Sequence, residues 1–322
     1  MTLSVLASRF LLPLVLVLGV AVTLLDSAQA AEPPKVVASI KPLGALVTGV
    51  MAGVARPTLL VSGSASPHDY ALKPSDAEAI ETARLVFWMG PSLEGFLART
   101  LEAQGRPSVR FDQRLGALLL PLRLAPALDP ASDRHAETGH SHDRAESAGA
   151  SLPDLHAWLD PTIAAAMVEI IAQELAVADP ERAARYEANA AALKTQLAAL
   201  DAELAASLAS IQDRPFVVFH DAYQYFERRY GLNRIGVLAI HPEAPPGARH
   251  LAALREVIAE HGAVCVFAEP QFEPKLIRAL VEGSAAHTAT LDPLGAELAE
   301  GANSYTALLR NLATSLRACL LG

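Results

Sequence analysis

Residues 35–62 read "KVVASIKPLGALVTGVMAGVARPTLLVS", and their order decides the fold. "KVVASI" (35–40) is a short, β-branched run and reads as a strand. "LGALVTGVMAG" (43–53) reads as a helix ending on Gly53, and "PTLLVS" (57–62) as a second strand. The alternation continues outward. "PSDAEAIETA" (74–83) is a helix, "RLVFWMG" (84–90) a strand, "SLEGFLARTLEAQG" (92–105) a helix stopped by Gly105, and "SVRFD" (108–112) a strand. Strands that alternate with helices predict a parallel sheet covered by helices.

The pattern breaks over 121–150, which is rich in Pro, Ala, Asp, Ser and His and has no apolar period. This predicts a long loop, partly disordered. A long apolar helix follows at 162–178. "DP" (179–180) interrupts it, with Asp179 as the expected N-cap and Pro180 at the first helical position of a second helix to about 210. Strands at 216–219, 235–240, 263–268 and 288–291 then alternate with helices that begin near 222, 247, 272 and 304. The fold class is α/β: two lobes, each a mainly parallel sheet under helices, joined near 162–178. The expected divisions are 1–30, an N-terminal lobe 31–161 that includes the loop 131–150, a linker helix 162–178, and a C-terminal lobe 179–322.

Residues 1–30 stand outside the fold. Arg9, the apolar run "FLLPLVLVLGVAVTLL" (10–25) and "AQA" (28–30) read as a secretory signal with cleavage after Ala30, an uncleaved membrane anchor being the alternative that the short apolar run disfavours. No later stretch reads as long and apolar enough to cross a bilayer, so the mature protein is expected to be soluble, exported and periplasmic. Export bears on Cys265 and Cys319, the only cysteines. In an oxidising compartment they are a candidate disulfide, two separate buried thiols being the alternative. The formal net charge of −9 without a basic stripe excludes a nucleic-acid partner.

In an open α/β sheet, ligands bind beyond the carboxyl ends of the strands. His68 follows strand 57–62, His220 follows "FVVF", Glu269 follows "AVCVFA" and Asp292 follows "TATL". His156 precedes the long helix. Three imidazoles with a carboxylate or water make a tetrahedral Zn²⁺ shell, whereas Ca²⁺ or Mg²⁺ needs more oxygen. The alternative for each histidine is a hydrogen-bonded packing residue. His241, His250, His261 and His287 read as structural or solvent-facing. Tyr70, Trp158, Tyr223 and Tyr225 flank the candidates as walls of a site or as core. The segment "RHAETGHSHD" (134–143) holds His135, His140 and His142, but ordering a loop costs entropy that opposes tight binding.

"GSASPHDYALKPSD" (63–76), "LVFWMGPSLEGFL" (85–97), "HAWLDP" (156–161), "VFHDAYQYF" (218–226), "FAEPQFEP" (267–274) and "LDPLG" (291–295) resemble, in order and over most of the mature chain, a known family. It is the ZnuA type of zinc-binding protein among the metal-specific solute-binding proteins of ABC importers. The resemblance implies two α/β lobes joined by one long rigid helix. It implies His68, His156 and His220 as metal ligands, and Asp292 as a fourth ligand or a nearby hydrogen-bonding group. It pairs Cys265 with Cys319. Manganese and iron relatives usually carry a carboxylate where this chain has His220, which favours zinc. The chain departs from some relatives in having Pro67 before His68, a short loop with three histidines, and His241 displaced along its strand.

The expected function is capture of Zn²⁺ by a monomer and its delivery to the membrane permease of an ABC importer. The alternatives are a manganese or iron importer component, and a secreted zinc hydrolase with Glu269 or Asp292 as general base.

Overall fold

The computed structural model describes residues 32–123, 152–239, 242, 246–272 and 275–322. The leader 1–30, the loop histidines within 131–150 and His241 lie outside the described residues. In the first lobe the order is β1 (Val36–Ile40), α1 (Lys41–Val50), β2 (Thr58–Val61), α2 (Pro74–Thr82), β3 (Leu85–Trp88), α3 (Gly95–Gln104), β4 (Ser108–Arg110) and α4 (Phe111–Arg114). The strands pair in the order β2-β1-β3-β4, all parallel. All five residues of β1 are buried, because helices cover both faces of a parallel sheet and leave no polar side.

Two helices follow, α5 (Pro161–Ala178) and α6 (Ala183–Leu208). The Lys194–Glu169 ion pair (2.7 Å) fastens one to the other. Extended by 3-10 turns at Pro180–Arg182 and Ala209–Ile211, the second helix is the long joining element, where the sequence had placed it at 162–178. Length explains the difference. At 1.5 Å per residue the 26-residue helix reaches about 39 Å, against about 27 Å for the 18-residue one. Its buried stripe, which includes Tyr186, Leu193, Leu200 and Leu208, meets α1 of the first lobe and elements of the second.

Asp179 stands where the N-cap was expected, but its carboxylate does not cap. It accepts from Arg182 Nη1 (3.0 Å) and the Tyr186 hydroxyl (2.7 Å). A cationic donor outcompetes a backbone amide for a buried carboxylate. Contrary to the reading of the sequence, α5 is long and apolar enough to cross a membrane. Its Ile163, Met167, Val168, Ile171 and Leu175 are instead buried in the core shared with α1 and α6.

The second lobe contains β5 (Phe216–His220), α7 (Gln224–Tyr230), β6 (Arg234–Ala239), α8 (Ala248–His261), β7 (Cys265–Ala268), α9 (Lys275–Val281), β8 (His287–Thr290) and α10 (Ser304–Leu321). The pairing β6-β5-β7-β8 is again all parallel and repeats the first order. A Cys265–Cys319 disulfide ties β7 to α10. One core cluster runs from β1 through α5 and α6 to α10, and a smaller one backs each sheet. Pro33–Gly322 is thus one compact unit containing both sheets.

Candidate metal centre

Each candidate histidine has its own local support. His220 is the last residue of β5 and is buried. His156 precedes the 3-10 turn Ala157–Leu159, which leads into α5. There Asp160 caps the helix by accepting from the Thr162 amide (2.7 Å), and Pro161 takes the first position. His68 is half-buried in the loop between β2 and α2. Tyr70 anchors that loop by donating to the Leu60 carbonyl (3.1 Å) and to Asp76 Oδ2 (2.9 Å).

The three meet. One ligand atom from each lies within 4.8 Å of the others, and the ring centroids are 5.3–5.7 Å apart. His156 Nε2 and His220 Nε2 are 3.4 Å apart. Two nitrogens on a tetrahedral Zn²⁺ with Zn–N of ~2.0–2.1 Å stand ~3.3–3.4 Å apart, so this edge is already set.

Carboxylates fix which nitrogen faces inward. His156 Nδ1 is 2.8 Å from Asp154 Oδ1, and His220 Nδ1 is 2.8 and 2.9 Å from the two oxygens of Glu269. An ionised carboxylate only accepts, so both Nδ1 atoms carry a proton and both Nε2 atoms present lone pairs. Two lone pairs that converge at 3.4 Å repel each other and are relieved by a cation or a shared proton between them, and the carboxylate behind each imidazole fixes its tautomer and ring orientation. Tyr223 O–H donates to Glu269 Oε1 (3.0 Å). Burial, followed by the Glu269 charge, pushes its phenol well above the ordinary range and keeps it a donor.

Asp292 is not in this cluster. Its Oδ1 accepts from the amides of Leu294 (3.0 Å) and Gly295 (2.9 Å) and from Gln271 Nε2 (3.1 Å), and its Oδ2 accepts from the Ala296 amide (2.5 Å). The carboxylate organises the 292–296 turn. The other flanking residues divide. Trp158 is a wall: it lines the site beside His156 and donates to the Pro293 carbonyl (2.9 Å). Tyr225 supports Asp154 by donating to its carbonyl (2.6 Å). Tyr70 packs on Phe96. His250 bonds the Val237 carbonyl, while His261 and His287 are exposed at element ends.

Asp154, Gln271 and Lys41 do not stand out in the sequence. Asp154 had a signal, a carboxylate two residues before a candidate ligand. Lys41, buried at the start of α1, donates to the carbonyls of Gly295 and Ala296 (both 2.8 Å) across 254 and 255 residues, and nothing in the sequence marks that contact. The space enclosed by the histidines is ≈ 10 Å³, room for about one water-sized species.

The sequence profile of the periplasmic zinc-uptake complex component A, ZnuA, matches residues 36–319. The chain belongs to the ZnuA family. It is 43% identical over 322 residues to the high-affinity zinc uptake system protein ZnuA of Brucella abortus (strain 2308), covering 91% of this chain and 94% of that protein. It is 37% identical to the ZnuA protein of Yersinia pestis, covering 88% and 91%. A crystal structure of ZnuA superposes with a TM-score of 0.73 at 27% identity, covering 89% of this chain and 99% of the other. The periplasmic zinc-binding protein TroA of Treponema pallidum, at 20% identity and a TM-score of 0.72, shares the fold. The ZnuA family consists of solute-binding components of ABC transport and not of enzymes, so the hydrolase alternative falls away.

Proposed function

We propose that His68, His156 and His220 capture one Zn²⁺ in the periplasm and that the protein, exported by its leader and acting as a monomer, hands the ion to an ABC-importer permease. The observation that carries this reading is the pair of Nε2 atoms at 3.4 Å, each with its Nδ1 committed to a buried carboxylate. Neutral nitrogen donors favour zinc over manganese, which sits at the weak end of the divalent affinity order and prefers oxygen. The loop histidines His135, His140 and His142 act as a weak gatherer that raises the local zinc concentration.

Competition with a chromogenic chelator tests the assignment. The expected result is one tight Zn²⁺ site, weakened at least about 100-fold in each of His68→Ala, His156→Ala and His220→Ala. That corresponds to about 3 kcal/mol per ligand at ~1.4 kcal/mol per tenfold change. Retention of tight binding by His220→Ala, or displacement of Zn²⁺ by equimolar Mn²⁺, overturns it.

A further inference from the structure

Three histidines leave one corner of a tetrahedral ion unfilled, and the nearby acidic groups are committed elsewhere. Glu269 is taken by His220 and the Tyr223 hydroxyl. Asp292 accepts from three backbone amides and the Gln271 side chain.

Gln271 differs. It lines the same cavity as the three histidines, and its Oε1 is buried with no hydrogen-bond partner in the protein. Its orientation is forced. Nε2 donates to Asp292 Oδ1 at 3.1 Å, and turning the amide over would set a carbonyl oxygen against a carboxylate oxygen. Asp292 therefore holds Gln271 with its carbonyl as the remaining acceptor. A buried acceptor without a donor is costly, and a metal-bound water, polarised by the ion, is a strong donor.

We propose that the fourth zinc ligand is a water molecule whose O–H donates to Gln271 Oε1. In this arrangement Gln271 positions the water, and Asp292 positions Gln271 instead of binding the metal. The inference rests on the three-histidine reading.

Two measurements test it. In Gln271→Leu, which keeps the bulk and removes the acceptor, zinc affinity by chelator competition falls about tenfold, the size of an outer-shell effect, with the apo melting temperature unchanged. In a crystal structure of the zinc-loaded wild-type protein, the fourth ligand is a solvent oxygen within ~2.6–3.2 Å of Gln271 Oε1. An Asp292, Glu269 or Gln271 oxygen bound directly to the ion overturns the inference, as does wild-type affinity in Gln271→Leu. Absence of tight binding in the wild-type protein would instead sink the three-histidine reading, so the two failures are distinguishable.

Discussion

Glu94 shows how one buried residue sets a pH dependence. It lies between β3 and α3, fully buried. Its Oε2 accepts from the amides of Met89 (2.8 Å) and Gly90 (2.9 Å), and Ser39 of β1 donates to Oε1. Burial outweighs these three bonds, and nearby Asp112 adds to it, so the carboxyl is pushed up from 4.5 to about 7. Between about pH 4.5 and 7 the folded protein holds a proton that the unfolded chain has released, so stability falls as pH rises through that window. A shift of that size is worth about 3 kcal/mol, all of it present below pH 4.5 and lost above pH 7. Glu94→Gln keeps one acceptor for the two amides and does not titrate. Urea unfolding at several pH values is expected to show the difference between wild type and Glu94→Gln changing by about this amount across the window. Parallel pH profiles for the two proteins would refute it. A lone Glu beside a turn gave no hint of this in the sequence, because the burial comes from β1, far away in the chain.

At the scale of elements, the strands and helices were legible because each is short and punctuated. Gly53, Gly105 and Gly262 follow the residues where helices stop, and strands such as "VVASI" and "FVVFH" are apolar throughout. The rule that ligands gather at strand ends also found His220 and Glu269, because β5 and β7 are neighbours at the centre of their sheet. The repeat of one strand order in both lobes was not legible, since it depends on pairing between distant segments. It puts a buried carboxylate beside the central strand pair of each sheet, Glu94 with Ser39 and Glu269 with His220. The strand that delivers Glu269 is secured by the Cys265–Cys319 disulfide, which closes a loop of 54 residues. Loop-closure entropy for that length is about 4 kcal/mol. The double variant Cys265→Ala/Cys319→Ala is therefore expected to unfold at a markedly lower denaturant midpoint, with about that loss of stability. A midpoint equal to that of the oxidised protein would show that the crosslink contributes nothing.

At the scale of the whole molecule, the site depends on bonds between segments far apart in the chain. Lys41 and Trp158 hold the 293–296 turn, and Tyr225 bridges the two ends of the histidine-bearing loop, accepting from the Leu120 amide (2.8 Å) and donating to the Asp154 carbonyl. No periodicity in the sequence encodes such contacts, which is why His68 and His220 could be nominated from strand ends, and His156 from the start of a long helix, while their supports could not. The loop ends are also closed on each other. Pro121 bridges Pro153, the Leu122 amide donates to the Leu152 carbonyl (2.8 Å), and the Asp154 amide donates to the Leu120 carbonyl (2.9 Å). Arg123 then pins this stem to Asp221, next to His220, and to Glu227 (2.7 Å). Burial pushes the Glu227 carboxyl up against the pull of Arg234 and Arg123. The groups that orient His156 and His220 thus lie on the stem side of the closure. Removing 131–150 while keeping 120–123 and 152–156 is therefore expected to leave one tight Zn²⁺ site, with affinity within about threefold of wild type, and to abolish only weaker additional binding. Calorimetry of the deletion protein, scored for stoichiometry and affinity together, checks this. Loss of the tight site while Asp154 and the stem remain would mean that His135, His140 or His142 completes the zinc shell.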